Sequence, residues 1–275
     1  QIIINLLNQF KINVLLIASE YEIEWFALNK IDIERKSNTK ICIALFDWIK
    51  LGNNKLKTYK FLNKIGVSVA SFFEYHLNKN NWISCLNSEP LMDNDFPLFL
   101  KPNNGTSNKG IIKFDNLDEF NKFHFPLEKS QYVLQKSLCE INSFEVTSSI
   151  IISKSGLIEF EPFHAKRKLN KVISWEVKKI NSSKLDKIVL LIGKNMKNYL
   201  GSLNIQFMGS EDIGFYPLEI NTRFSGTTSY RLACRRNEVM YLINDLMDEN
   251  KSKYVGLKLD KYPIMHRYVE DYLSY

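Results

Sequence analysis

The stretch that decides the fold covers residues 203–223 and has the sequence LNIQFMGSEDIGFYPLEINTR. Two runs rich in β-forming residues, 203–208 and 215–221, flank the polar segment 209–214, and this pattern predicts an antiparallel hairpin. If the turn is centred between residues 212 and 213, Gln206 lies directly opposite Glu219 on the neighbouring strand. The hairpin would therefore bring two oxygen-bearing side chains together.

Polar side chains share one face of the second strand. Residues at i, i+2 and i+4 project to the same side, so Glu219, Asn221 and Arg223 would lie together. Their oxygens and that of Gln206 suit Mg²⁺, which binds oxygen ligands and usually shares phosphates, and Arg223 would clamp the anion. The alternative is a hairpin with a solvated polar face. We favour the metal site because the other face is apolar and hydroxyl-rich residues 225–229 follow, offering backbone N–H groups to an anion.

A second segment, residues 98–110, has the sequence LFLKPNNGTSNKG. It predicts a strand that delivers Lys101 beside a glycine-containing loop, an arrangement that can hold phosphate by a point charge and main-chain donors. The segment has neither the GxxxxGK[ST] nor the GxGxxG pattern. A plain surface turn is an equally good interpretation of this segment taken alone.

Taken together and in this order, the segments resemble the ATP-grasp superfamily, in particular the ATP-grasp domain of the carbamoyl phosphate synthase large chain and related carboxylate–amine ligases. The resemblance covers nearly the whole chain and rests on residues 54–67, 98–110, 135–145 and 204–226. It implies an α+β ATP-grasp fold in which two α/β subdomains clasp ATP.

The resemblance also implies roles for individual residues. Those expected to contact the nucleotide are Lys55, Lys101, Gly105, Thr106, Ser107, Gly110, Lys136, Ser137, Leu138 and Glu145. Within this set the lysines 55 and 101 would contact phosphates, 105–110 would form a lid loop, 136–138 would contact adenine through main-chain groups, and 145 would bind the ribose. The implied ligands of magnesium or manganese are Gln206, Glu219 and Asn221, and Arg223 would be the catalytic residue that stabilises the transferring phosphoryl group.

The implied function is an ATP-dependent ligase that joins a small-molecule carboxylate to an amine through an acyl phosphate, releasing ADP and phosphate. Two departures from the family pattern leave an alternative open. Asn54 stands where the family has an acid, and Lys136 stands at the hinge acid. Both favour a non-catalytic or partner-dependent ATP-binding module.

The beginning of the chain predicts a separate organisation. Residues 1–52 alternate between helical and short strand-like patterns, as in a parallel α/β unit, but are too few for a doubly wound sheet. We therefore expect a partial, N-terminally truncated, Rossmann-like lobe at 1–52 and the ATP-grasp domain at 53–275, with a small lid subdomain at about 96–138. A homodimer is possible.

The middle and end of the chain are predicted less sharply. Strands are expected at 144–152 and 157–163 around a Ser-Gly turn, a helix at 182–199, helical structure at 230–247, and a last pair of strands ending near residue 268. Arg167 could face either the site or solvent, whereas His266 and Arg267 are expected to be structural. One of three arginines could meet a substrate carboxylate, and nothing in the sequence selects among them: Arg231, Arg235 and Arg236.

Composition excludes some classes of protein. The chain has 275 residues, 45% of them hydrophobic, and a net charge of +7. No apolar run reaches the roughly 18 residues of a membrane span, so no membrane partner is expected. The lysines are spread evenly among many asparagines, which argues against a nucleic-acid partner, although a basic nucleic-acid binder is a weaker third interpretation. Four widely spaced cysteines suit neither zinc nor disulfides and indicate reduced thiols in the cytoplasm.

Overall fold

A computed structural model describes residues 1–105, 110–138, 143–170, 173–250 and 259–267. The α-helices in these ranges are α1 (Ile2–Gln9), α2 (Ile23–Ser37), α3 (Phe46–Gly52), α4 (Lys55–Lys64), α5 (Leu117–Asn121), α6 (Ser183–Asn195), α7 (Thr228–Ala233) and α8 (Glu238–Leu246). The strands are β1 (Val14–Leu16), β2 (Lys40–Cys42), β3 (Phe72–His76), β4 (Asn81–Ser84), β5 (Leu98–Pro102), β6 (Ile112–Phe114), β7 (Tyr132–Lys136), β8 (Phe144–Ile152), β9 (Phe163–Asn170), β10 (Ile173–Ile180), β11 (Gly201–Ser210), β12 (Gly214–Asn221) and β13 (Ile264–His266).

These strands form three sheets. A six-stranded antiparallel sheet has the order β12-β11-β8-β9-β10-β13, and a five-stranded antiparallel sheet has the order β4-β3-β7-β5-β6. The third sheet is the parallel pair β1-β2. The predicted α+β class is therefore confirmed.

The N-terminal lobe contains the parallel pair that the sequence predicted. Val14 pairs with Lys40 and Leu16 with Cys42. Its core is continuous with that of the remaining chain, because buried residues of α1 and α2 belong to the same apolar cluster as those of α6 and β11. A Cβ added at Gly52, at the end of α3, would lie 2.7 Å from the Ile220 carbonyl oxygen of β12, so only glycine permits this close approach. The domain boundaries at 52 and 96–138 stay predictions.

Helix α4 lies within 54–67, one of the segments on which the resemblance rests. Asn54 is its N-cap, and the side-chain oxygen accepts a hydrogen bond from the Lys57 N–H at 2.9 Å. The replacement of the family's acid therefore removes a charge but keeps the cap. The N–H of Lys55 donates to the Asn103 carbonyl at 2.9 Å, which ties the helix start to the end of β5. Gly66 follows the helix with φ +80°, a conformation that favours glycine.

The central hairpin has the predicted pairing of Gln206 with Glu219, but its turn position differs from the prediction and a β-bulge compensates for the difference. Gln206 lies opposite Glu219, while Ser210 pairs with Gly214, which centres the turn on Asp212. A β-bulge between Gln206 and Phe207 absorbs the one-residue difference. Gln206 and Glu219 consequently remain opposite each other, although the turn is centred on Asp212 rather than between residues 212 and 213.

The expected strand at 157–163 is wrong. Within 153–162 only Ile158 forms a bridge, to Ile152, and the next strand along the chain that pairs with β8 is β9, with Glu145 opposite Arg167. The sequence signal failed because basic residues at 164, 166, 167 and 168 interrupt the apolar alternation on which prediction depends.

The expected C-terminal elements also differ. Helical structure at 230–247 divides into α7 and α8, because Arg235 between them has φ +62° and ends helical geometry. Of the expected last pair of strands, the described residues contain β13 alone. Cys42, Cys85 and Cys234 are free thiols, while Cys139 lies outside the described ranges. No described helix combines the length and the apolar character that a bilayer crossing requires.

Gly209 is predicted to be the most sensitive glycine of the central hairpin. Its φ is +149°, and an added Cβ would collide with the Gly214 carbonyl, whereas Gly214 has φ +88° and open space around its own Cβ position. Gly209→Ala should therefore lower the free energy of unfolding by about 2–4 kcal/mol, through strain plus backbone displacement. Gly214→Ala, which has the strain alone, should cost about 1–2 kcal/mol. Urea unfolding of both variants measures the difference, and equal costs would contradict the collision.

His164 is predicted to make stability depend on pH. Burial is the largest effect on the ring and lowers its pKa below 6.5, although hydrogen bonding to Asp186 opposes it. Ring nitrogens lie 2.8 Å from Ser148 Oγ and 2.9 Å from Asp186 Oδ1. Since the unfolded chain binds the proton more tightly, stability should be complete above pH 6.5 and fall as the pH drops below it. His164→Gln should make this fall shallower, while the exposed control His124→Gln should not; parallel pH profiles of urea midpoints would refute the assignment.

Candidate active site

Two adjoining cavities form a continuous cleft between the six-stranded and five-stranded sheets. One has a volume of about 260 Å³ and extends towards the N-terminal lobe, and the other has a volume of about 360 Å³ and extends towards β5 and β7. Four side chains line both cavities: Lys55, Glu145, Gln206 and Glu219. The predicted metal face therefore lies where the cavities meet.

The predicted metal ligands are together. Gln206 and Glu219 face each other across β11 and β12, and Asn221 Nδ2 donates to Glu219 Oε1 at 2.9 Å. In the described ranges no group of three or more His, Cys, Asp and Glu side chains could hold a metal. The set supplies one carboxylate and two amide oxygens, a hard but weakly charged donor set. It fits Mg²⁺ or Mn²⁺ that shares phosphate oxygens with a ligand rather than one held by protein alone.

Arg167 lies in the cleft, which settles the question that the sequence left open. Its Nη2 donates to Gln206 Oε1 at 2.9 Å and also to Glu145 Oε1. Only 11% of the Arg167 side chain and 14% of that of Glu145 are exposed, so the pair is largely desolvated. Burial lowers the pKa of the Arg167 guanidinium, and the charge of Glu219 opposes this. The expected ribose ligand Glu145 is therefore held by an arginine from the next strand.

Both predicted phosphate lysines line the cleft. Burial lowers the pKa of the Lys55 amine, the charge of Glu219 opposes this, and Nζ donates to the Gly105 carbonyl at 2.9 Å. Lys101 is only 8% exposed, and its Nζ donates to Gln135 Oε1 at 2.5 Å. Gln135 is a buried residue whose importance the sequence analysis missed, because a glutamine at the end of an apolar strand has no distinctive pattern.

The predicted hinge lines the larger cavity only in part. Lys136 and Leu138 belong to its wall. However, the N–H of Lys136 donates to the Ser71 carbonyl and that of Ser137 to the Pro97 carbonyl, while Lys136 Nζ donates to the Asp95 and Phe96 carbonyls at 2.6 and 2.8 Å. The main-chain donors of 136 and 137 are thus already used within the protein.

The predicted lid loop is partly described. Gly105 lines the smaller cavity, and Gly110 has φ +72°, with its Cβ position 3.1 Å from Pro102 Cγ. Thr106 and Ser107 lie outside the described ranges. The lid role of 105–110 stays a prediction.

Arg223 lies beyond the end of β12 and faces the smaller cavity together with Asn221. Its Nη2 donates to Glu20 Oε2 at 2.6 Å, so the N-terminal lobe contributes a carboxylate to the site. Arg267, expected to be structural, also lines this cavity and donates to the Gly226 carbonyl. Sequence analysis missed Glu20 and Arg267 because their distance along the chain from residue 223 hides their proximity.

Comparisons with known proteins support the resemblance. No family model matches the chain. A carbamoyl-phosphate synthase of Methanobrevibacter smithii is 24% identical over 246 residues, which cover 85% of this chain and 63% of that protein. The chain thus spans less than two thirds of that relative's length.

Solved structures share the fold at low sequence identity. The biotin carboxylase domain of Hydrogenobacter thermophilus 2-oxoglutarate carboxylase, in complex with MgADP, ADP and bicarbonate, gives a TM-score of 0.67 at 13% identity and covers 92% of this chain and 58% of that one. N5-carboxyaminoimidazole synthetase from Staphylococcus aureus gives 0.64 at 16% identity, covering 90% and 63%. The corresponding synthase from Aspergillus clavatus, in complex with ADP and 5-aminoimidazole ribonucleotide, gives 0.63 at 15% identity, covering 87% and 61%.

These similarities confirm the resemblance to the ATP-grasp superfamily and the ATP-grasp fold of this chain. The roles assigned to individual site residues rest on the geometry of the cleft.

The link between Lys55 and Glu219 can be tested without any ligand. Burial lowers the pKa of the Lys55 amine, and the negative charge of Glu219 raises it. Glu219→Gln should therefore lower this pKa further. At a pH below 10.5, Lys55 should then be acylated faster than in the unaltered protein, as measured by competitive labelling and mass spectrometry. The exposed control Glu89→Gln should leave the rate unchanged. An unchanged or slower reaction in Glu219→Gln would contradict the electrostatic link.

Proposed function

We propose that this chain acts as an ATP-dependent ligase or as the ATP-grasp part of one. The observation that supports this most directly is the position of Glu219 and Gln206, which line both a cavity with three lysines and a cavity with three arginines, with Asn221 beside them in the second cavity. A phosphoryl donor and an anionic acceptor could meet at such a boundary. The names of the similar proteins, which include a carbamoyl-phosphate synthase and a biotin carboxylase domain bound to MgADP and bicarbonate, point the same way.

The larger cavity is the proposed nucleotide site. Apolar Phe99, Ile111, Leu138, Met208 and Leu218 surround space for a base, and Lys101 and Lys55 lie towards the metal face. The ammonium groups of buried Lys101 and half-buried Lys55 suit the β- and γ-phosphates, since a phosphate would relieve part of their desolvation. Glu145 is the proposed ribose ligand, and residues 105–110 are the proposed lid.

Glu219, Gln206 and Asn221 would hold Mg²⁺ or Mn²⁺ against the phosphates. When bound, the metal would neutralise phosphate charge and so assist attack at the γ-phosphorus. Arg223, fixed by Glu20, would stabilise the charge of the phosphoryl group during transfer, since its guanidinium is already positioned and partly desolvated. Positioning and charge neutralisation account for most catalysis of phosphoryl transfer.

The smaller cavity is the proposed site of the carboxylate. A carboxylate oxygen would attack the γ-phosphorus, the bond to the β–γ bridging oxygen would break, and ADP would leave. The nitrogen of an amine would then attack the acyl carbon, phosphate would leave, and the amine would lose a proton. We propose small-molecule carboxylates and amines as substrates, and a homodimer remains a prediction.

Glu219→Ala tests this function. Purified protein, ATP and Mg²⁺ are given a panel of carboxylates, beginning with bicarbonate and amino acids, with ammonia or amino acids as amines. One carboxylate should stimulate ADP release, and Glu219→Ala should reduce that release by at least about a hundredfold, the order expected when charge stabilisation in the transition state is lost. Glu211→Ala, on the exposed hairpin turn, is the matched control and should keep full activity.

Two outcomes would contradict the proposal. Full turnover in Glu219→Ala would show that the metal assignment is wrong. Calorimetric binding of MgADP without stimulation by any carboxylate would instead support the non-catalytic ATP-binding module.

A further inference from the structure

The turn at 225–228, between β12 and α7, forms part of the wall of the smaller cavity. Ser225, Gly226 and Thr227 line the cavity beside Arg223 and Arg267. The turn has no strand partner of its own, since β12 ends at Asn221. Its position therefore depends on side-chain contacts from the protein interior, on the side of the turn away from the cavity.

Those contacts come from Arg231. Its guanidinium donates to three hydroxyl groups of the turn: Ser225 Oγ at 3.2 Å, Thr227 Oγ1 at 2.9 Å and Thr228 Oγ1 at 3.0 Å. The Arg231 side chain is 1% exposed. The hydroxyls of this turn, whose backbone N–H groups the sequence suggested for anion binding, are thus engaged by an arginine inside the protein.

Arg231 is itself fixed by a buried carboxylate. Its Nε donates to Glu238 Oε2 at 2.7 Å, and Glu238 Oε1 accepts from Arg236 Nε at 2.6 Å and from Ser149 Oγ at 3.3 Å. Burial alone would raise the pKa of Glu238, but attraction to the two arginines outweighs it and leaves the pKa below its ordinary value. The carboxylate is therefore ionised and holds the Arg231 guanidinium in one orientation.

Helix α7 also supports the segment that carries Arg267. The residue beside Arg231, Tyr230, donates from its hydroxyl to the Pro263 carbonyl at 2.8 Å and accepts from the Lys179 N–H at 2.7 Å. These bonds attach α7 to the segment that continues through β13 to Arg267, which in turn donates to the Gly226 carbonyl. Two neighbouring residues of one short helix thus hold both the turn and the segment that ends at Arg267.

We propose that Arg231 is a positioning residue for the carboxylate substrate: it sets the 225–228 turn so that Arg223, Arg267 and the turn form one anion-binding wall. This inference rests on the proposed function. Substrate affinity would then depend partly on Arg231, a buried side chain that does not line the cavity and contacts no substrate. The nucleotide cavity, which Arg231 does not line, should be unaffected.

Arg231→Lys is the test, and Arg236→Lys is its matched control. Lysine keeps the charge but cannot reach Glu238 and several hydroxyls at once, whereas Arg236 shares Glu238 without a hydrogen bond to the turn hydroxyls in the described structure. Arg231→Lys should raise the KM of the stimulating carboxylate, with bicarbonate as the first probe, by about tenfold or more, as expected for lost charged hydrogen bonds. The KM of ATP, kcat and calorimetric MgADP affinity should change by less than about threefold, since no transition-state contact is removed.

Hydrogen exchange followed by mass spectrometry provides a readout that needs no substrate. Amides of 225–229 should exchange faster in Arg231→Lys and at the original rate in Arg236→Lys. If Arg231→Lys fails to fold, the variant Arg231→Gln, which leaves Glu238 paired with Arg236 alone, should show the same KM and exchange changes.

Three results would overturn the inference: an unchanged carboxylate KM, equal rises in the KM of carboxylate and ATP, or the same effects in Arg236→Lys. If no carboxylate stimulates the unaltered protein, the proposed function fails separately. The positioning role is then decided by exchange alone, supported by a change confined to 225–229 and overturned by its absence.

Discussion

The pairing of β11 with β12 is the constraint on which the rest of the site depends. Because side chains alternate between the faces of a strand, a shift of one residue would send Gln206 and Glu219 to opposite sides of the sheet. The bulge after Gln206 prevents this by absorbing the odd residue of the turn. Ile205 and Ile220, which face each other next to that pair, are buried in the main core, so the packing that stabilises the hairpin also fixes its polar face.

Desolvated charge is the second organising feature of the cleft. Arg167 is balanced by Glu145, and Lys101 is held by the neutral amide of Gln135. Taking such groups from water costs several kcal/mol each unless partners replace the lost hydration. The protein meets this cost during folding, so that a phosphate entering the cleft would find cations whose solvent has already been removed. The arrangement is consistent with a site prepared for polyanions.

The sequence predicted local features well and remote ones poorly. The parallel pair in the first lobe and the alignment of Gln206 with Glu219 follow from the residue pattern of those segments, and the α+β class follows from the resemblance. The β9 strand was missed because basic residues at 164, 166, 167 and 168 interrupt its apolar alternation, and the contact of Glu20 with Arg223 joins residues 203 positions apart. No periodic pattern in the sequence predicts such a contact, because only the order of the strands in the folded sheets brings those segments together.

This division has a consequence for specificity. The proposed nucleotide half of the cleft is built mainly from β5, β7, β11 and β12, whose motifs resemble a widespread family. The proposed acceptor half combines Glu20 from the first lobe, the turn after β12 and Arg267, which follows β13. Each belongs to a different part of the chain, and the turn is held by the buried Arg231 rather than by backbone pairing. Substitutions in any one of these segments could change the shape of the acceptor half while the β11–β12 pairing, and with it the metal face, stayed intact. Specificity for the proposed carboxylate would therefore be set by the relative placement of these three segments and not by the motifs that identify the fold.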